Sequence, residues 1–124
     1  MYGPAYFTHN APDQTLVGRL MSDNGTDRIG IVDGTAIMRT RDTAAALALS
    51  SGLANNLGTA FDPIAGPETV PAVRCFERAS AAAAGLPYRC YVAYKRYAAI
   101  VTSDSEQDLK RKTAAQYALL ANSL

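Results

Sequence analysis

The chain has 124 residues, 48% hydrophobic and 19% charged, and its 12 basic and 11 acidic side chains leave a formal net charge of +1. That size and balance fit one globular domain with its own core and exclude a disordered chain. They supply no general electrostatic pull toward nucleic acid or anionic lipid, and no apolar run reaches the roughly 18 residues a membrane-spanning helix needs.

The first segment, YGPAYFTHNAP, is turn-rich. Asn10 is placed to cap a helix, with Asp13 three residues on. Leu16, Val17, Leu20 and Met21 recur at helical spacing, and Gly25 suits a left-handed helix end. A helix is predicted over about residues 12–23. RIGIVDGTAIMRT then carries a hairpin signal: Asp33-Gly34 is the pair a two-residue turn favours. With that turn, Ile31 faces Ala36 and Ile29 faces Met38 on an apolar side. Arg28, Gly30, Val32, Ile37 and Arg39 share the mixed side.

Asp42 or Thr43 caps a second helix, predicted over about 43–57. Its stripe is Ala46, Leu49, Ser50, Leu53 and Leu57. Gly52 lies mid-helix, at a cost of about 1 kcal/mol relative to Ala. Three prolines and one glycine from Thr59 to Pro71 read as a loop. A short strand from Val73 to Arg78 carries Cys75, and the Ala-rich stretch 79–87 reads as a surface excursion. A hairpin follows, Arg89 to Tyr94 and Tyr97 to Thr102, about Lys95-Arg96. Ser103 or Ser105 caps a last helix over about 105–122, with Asp104, Glu106 and Asp108 near its positive end. Its stripe is Leu109, Thr113, Gln116, Tyr117 and Leu120.

The predicted order is therefore α-β-β-α-β-β-β-α. Hairpins dominate, which predicts an α+β fold of two layers: a mainly antiparallel sheet of about five strands, with helices on one face. Residues 1–124 are read as one domain.

The two cysteines match neither a CxxC motif nor a zinc site, and the single histidine leaves too few ligands for a structural zinc within one copy. A disulfide between Cys75 and Cys90 is the plain reading and places the domain outside the cytosol. It would close a loop whose length predicts about 3 kcal/mol of stabilisation. A reactive thiol is the other reading; it requires a depressed pKa, for which Arg89 beside Cys90 is the one visible source.

Strand alternation puts Tyr88, Cys90, Val92 and Tyr94 on one side, and Arg89, Tyr91 and Ala93 on the other. The turn at Lys95-Arg96 brings Tyr94 against Tyr97 and Val92 against Ala99. Lys95-Arg96 is read as a solvated tip, with anion binding as the alternative. Rings on both faces offer an aromatic surface to a glycan or lipid, against the commoner role of packing on helices. His9 sits in the turn-rich start, and no G-x-S-x-G, H-E-x-x-H or phosphate-binding loop motif is present. The stretch DNGTD resembles a calcium loop but lacks its spacing and terminal glutamate. No catalytic residue, metal or cofactor is assigned.

YGPAYFTH, IMRTRDTAAAL, RCF, YRCYVAYKRYAAIV and AAQYALLANS together resemble the C-terminal domain of an uncharacterised group of mycobacterial and related actinobacterial cell-envelope lipoproteins. The resemblance spans most of the chain. It implies that Cys75 pairs with Cys90 and that the intact protein is exported and lipid-anchored. No signal peptide or lipid-attachment cysteine stands near Met1, so Met1 would be an imposed start within a longer exported protein. Family members tend to have glycine at the hairpin tip, where this chain has Lys95. The family carries no established activity.

The expectation is a non-catalytic, extracytoplasmic domain that binds an envelope protein or an apolar or glycan ligand. The candidate surface is Tyr91, Tyr94, Tyr97 and Arg39. No nucleic-acid partner is expected, and membrane attachment would come only through an anchor outside this chain. The alternatives are a hydrolase using His9 with an acidic partner, and a structural module that docks onto its parent or a second copy.

Overall fold

A computed structural model describes residues 16–32, 35–57, 60–79 and 86–123. The element order is α1 (Leu16–Asp23), β1 (Arg28–Val32), β2 (Thr35–Arg39), α2 (Thr43–Asn55), β3 (Phe61–Ile64), β4 (Arg74–Arg78), β5 (Tyr88–Tyr94), β6 (Tyr97–Ser103) and α3 (Glu106–Ser123). The Asn10 cap, His9, the Asp33-Gly34 turn and most of the Ala-rich excursion lie outside the described residues.

The six strands form one antiparallel sheet in the order β1-β2-β6-β5-β4-β3. The chain lays down the β1–β2 hairpin at one edge. It then crosses over through α2 to the far edge and returns strand by strand until β6 pairs with β2. Both predicted hairpin registers are present: Ile29 opposes Met38 and Ile31 opposes Ala36, while Tyr94 opposes Tyr97 and Val92 opposes Ala99. At the β5–β6 tip, Lys95 takes φ 51°, a left-handed conformation that glycine adopts freely.

Local chemistry sets the helix ends. At the end of α1, Thr26 N–H donates to Met21 O and Gly25 N–H to Ser22 O, with Gly25 at φ 66°. That is a Schellman arrangement, and it satisfies two carbonyls that the last helical turn leaves open. Asp42 caps α2, its Oδ1 accepting from Ala45 N–H at 2.8 Å. Ser105 caps α3, its Oγ accepting from Asp108 N–H at 3.1 Å. Ser103 supports that cap: its hydroxyl donates to Asp108 Oδ2 at 2.7 Å and accepts from Ser105 N–H at 3.3 Å.

The α+β class and the antiparallel sheet are as expected, but two details differ. The sheet has six strands because Phe61–Ile64, within the predicted loop, pairs with β4. Pro63 is tolerated there because β3 is an edge strand, where a missing N–H leaves no ladder bond broken toward a further neighbour. The helices also lie on both faces, so there are three layers. On one face Ile29, Met38, Phe76, Tyr91 and Ala98 pack with Met21 of α1 and with Leu49 and Leu53 of α2. On the other, Cys75, Cys90 and Val101 pack with Leu109 of α3, and Val92 and Ala99 with Ala114 and Tyr117. The central strands require this, since Cys90, Tyr91 and Val92 are consecutive and all buried. A strand apolar on both sides must be covered on both sides.

Candidate functional site

Cys75 and Cys90 face one another directly across β4 and β5 and form a disulfide. Both are almost fully enclosed, at 2% and 0% exposure. The loop between β3 and β4 folds over them: a Cβ on Gly66 would stand 3.2 Å from Cys75 Sγ. The pair is a structural staple, and a reactive thiol at Cys90 is ruled out in this oxidised chain.

The four candidate residues are divided between two places, as the alternation along β5 requires. Arg39, Tyr97 and Tyr94 stand in a row across β2, β6 and β5. Arg39 is held by Asp27, its Nε and Nη2 donating to the two carboxylate oxygens at 2.8 and 2.7 Å. That two-pronged bond holds the Asp27 carboxyl below its ordinary range, with Arg39 and Arg96 charges adding to the effect. Tyr94 packs edge-on against Tyr117 of α3, with ring centroids 5.3 Å apart. Tyr91 points to the opposite face, 3% exposed, where it meets Phe76 edge-on at 6.0 Å.

Beside that row an open groove of about 600 Å³ runs between the start of α2 and the β5–β6 turn, lined by Asp42, Thr43, Lys95, Arg96 and Tyr97. Its polar groups serve the fold. Arg96 Nε–H donates to Thr40 O at 3.0 Å, and Thr40 N–H donates back to Arg96 O at 2.7 Å. Asp42 already occupies the positive end of α2.

The more enclosed space lies on the other face. A cavity of about 220 Å³ is bounded by Leu20 of α1, Leu53, Asn56 and Leu57 at the end of α2, and Arg89, Tyr91 and Ile100 of the sheet. Strand alternation puts Arg89 and Tyr91 on the same inward side of β5. The Arg89 guanidinium sits 4.3 Å from the Phe61 ring centroid, close enough for a cation–π attraction. Its Nε is buried and has no hydrogen-bond acceptor among the described residues. The walls are otherwise mostly aliphatic or aromatic, so the space suits an apolar group with a polar end.

Sequence reasoning missed Arg89 as a site residue. The signal was its parity: it shares the core-facing side of a strand whose neighbours on that side are Tyr91 and Ala93. Among the described residues no cluster of three or more His, Cys, Asp or Glu side chains is arranged to hold a metal ion. None of the described helices is long and apolar enough to cross a membrane.

The family described as a domain of unknown function (DUF7373), C-terminal, matches residues 1–123. No curated protein and no solved structure matches the chain.

Proposed function

Because the chain belongs to the DUF7373 C-terminal family, whose function is open, we propose from its geometry that it is a non-catalytic binding domain for a small apolar ligand. The carrying observation is the cavity between α2 and the sheet, walled by Leu20, Leu53, Leu57, Tyr91 and Ile100. A preformed, mostly apolar recess with one or two polar groups is how small-molecule sites are built. Among the expected partners, an apolar ligand is favoured over a glycan or protein held by Arg39, Tyr94 and Tyr97. Arg39 is engaged by Asp27 and Tyr94 by Tyr117, which leaves that row little to offer.

The setting we propose is extracytoplasmic, in the cell envelope, within a lipid-anchored parent of the actinobacterial kind the sequence resembles. The buried Cys75–Cys90 disulfide supports an oxidising compartment. Alkylation of whole cells followed by fractionation tests this: the chain should appear in the envelope fraction with both cysteines protected.

Binding is tested by titrating 1-hexanol into the methyl-labelled, oxidised chain. Saturable shifts confined to the methyls of Leu20, Leu53, Leu57 and Ile100 are expected. Shifts scattered over exposed methyls such as Ile31 and Leu119, with those four unmoved, would overturn the reading.

A further inference from the structure

We infer that the apolar ligand is a single linear alkyl chain, longer than the cavity, whose tail end fills it and whose remainder lies across β6, β2 and β1. This rests on the cavity being a binding site and adds the shape and class of what it takes.

Four residues stand in one line across four neighbouring strands. Tyr91 of β5 opposes Ile100 of β6, Ile100 opposes Ala36 of β2, and Ala36 opposes Ile31 of β1. Opposed residues of an antiparallel pair share a face, so all four point to the side that α1 and α2 cover. Tyr91 and Ile100 border the cavity. From there cover is lost stepwise: Tyr91 is 3% exposed, Ile100 and Ala36 are half-buried, and Ile31 at the sheet edge is 54% exposed. The cavity is therefore continuous with an apolar track. A single exposed isoleucine is ordinary; one that ends an apolar row leading out of a recess marks a path for a ligand.

The rows on either side set the width of that track. Toward the Lys95-Arg96 turn, Ile29, Met38 and Ala98 make the next row, which Met21 of α1 and Leu49 and Leu53 of α2 already cover. On the other side Thr102 opposes Arg89, and the surface turns polar. One row lies open between them, which is the breadth of a single chain.

Length follows from the strand spacing. At about 4.8 Å from strand to strand, three steps give roughly 14 Å from Tyr91 to Ile31. Carbon–carbon bonds that advance roughly 1.3 Å each cover that distance in about eleven carbons. A broad ring system would overhang Thr102 and Arg89. A saturated chain buries only apolar surface and asks no hydrogen bond of the walls.

The test titrates 1-hexanol and 1-decanol into the intact, oxidised chain labelled at its isoleucine, leucine and alanine methyls. Hexanol is expected to shift Leu20, Leu53, Leu57 and Ile100 only. Decanol should shift the same four together with Ala36 and Ile31, and bind about tenfold more tightly or better. Ile31→Thr, a change on the exposed edge, should remove most of that gain and leave hexanol binding unchanged. Decanol shifts confined to the four cavity methyls, or an equal gain in Ile31→Thr, would sink the extended chain and leave the compact apolar site standing. If neither alcohol moves the four, the cavity itself is not the site. Shifts at Ala36 and Ile31 that follow protein concentration without alcohol would give the row to a second copy of the chain. Shifts there with phosphatidylcholine vesicles but not with decanol would give it to a bilayer; either result overturns the single-chain ligand. The wild-type comparison decides the matter even if Ile31→Thr does not fold.

Discussion

Leu20 of α1 rests on the backbone of Gly52 in α2: a Cβ built on Gly52 would stand 2.9 Å from Leu20 Cδ2. That contact accounts for a glycine in the middle of a 13-residue helix. Alanine there should gain about 1 kcal/mol of helix propensity but must displace the leucine. We expect Gly52→Ala to change stability by less than about 0.5 kcal/mol alone, and to stabilise by about 1 kcal/mol when Leu20 is also alanine. Urea denaturation of the four chains in the cycle measures this. An equal gain in both backgrounds would show that Leu20 does not restrain the site.

The staple between β4 and β5 closes a span of 15 residues. Loop-closure entropy assigns about 3 kcal/mol to such a link, a large share of the roughly 5–15 kcal/mol that holds a domain together. Replacing Cys75 and Cys90 together by alanine should lower unfolding stability by about that amount. In the native protein, both sulfurs should resist mild reductant and alkylation until the chain is unfolded, because loop and sheet enclose them. Mass spectrometry of alkylated samples, with and without denaturant, reads the outcome. Ready labelling in the folded state would contradict the burial.

Thr113 in α3 is fully buried, and its Oγ1 has no hydrogen-bond partner among the described residues. Valine has nearly the same shape without the hydroxyl, so it removes an unsatisfied group and leaves the packing intact. Thr113→Val is expected to stabilise the domain by about 1 kcal/mol, measured by thermal or urea unfolding. Destabilisation would mean that the hydroxyl has a partner, such as a bound water.

Two carboxylates make stability depend on acid. Asp27 is held below its ordinary 3.8 chiefly by its bond to Arg39. Asp108 is held below it chiefly by the Ser103 hydroxyl, then by Arg111. A carboxyl whose pKa is depressed on folding binds fewer protons folded than unfolded. Its contribution is therefore complete above the ordinary value and is lost as pH falls through the folded value. Stability should be level from about pH 6 to pH 5 as far as these two groups are concerned, then decline below about pH 4. Asp27→Asn and Asp108→Asn should each be less stable at neutral pH and show a shallower acid decline. Parallel curves for mutant and parent would refute the assignment.

Both hairpins could be read from the chain because their information is local. Alternation and two-residue turns set which residues oppose each other, and the pairs Ile29–Met38 and Tyr94–Tyr97 follow without knowledge of the rest. The helix ends were legible for the same reason: Asp42, Ser105 and Gly25 act on backbone groups within three or four residues. The second helical layer was also written in the chain, in the unbroken apolar run CYVAY. It passed unread because hairpins suggest a sheet with one wet face.

The candidate site was not legible in this way. Tyr91, Tyr94, Tyr97 and Arg39 were grouped by nearness and chemistry, although alternation along β5 already puts Tyr91 on the side opposite Tyr94. The structure keeps Arg39, Tyr97 and Tyr94 in a row and buries Tyr91 on the far side of the sheet. Arg89 became notable only when α1 and α2 brought Leu20, Leu53 and Leu57 over it and left its Nε without an acceptor.

By itself the sequence determined the strand partners within each hairpin, the helix caps and the cysteines as a pair to be joined, since each depends on backbone geometry over a few residues or on the chemistry of two side chains. Only the tertiary structure decided that β6 closes onto β2, which helix covers which face of the sheet, and that an arginine borders an apolar recess. Those outcomes depend on where segments far apart in the chain come to rest, which is set by burial summed over the whole core and not by any local pattern.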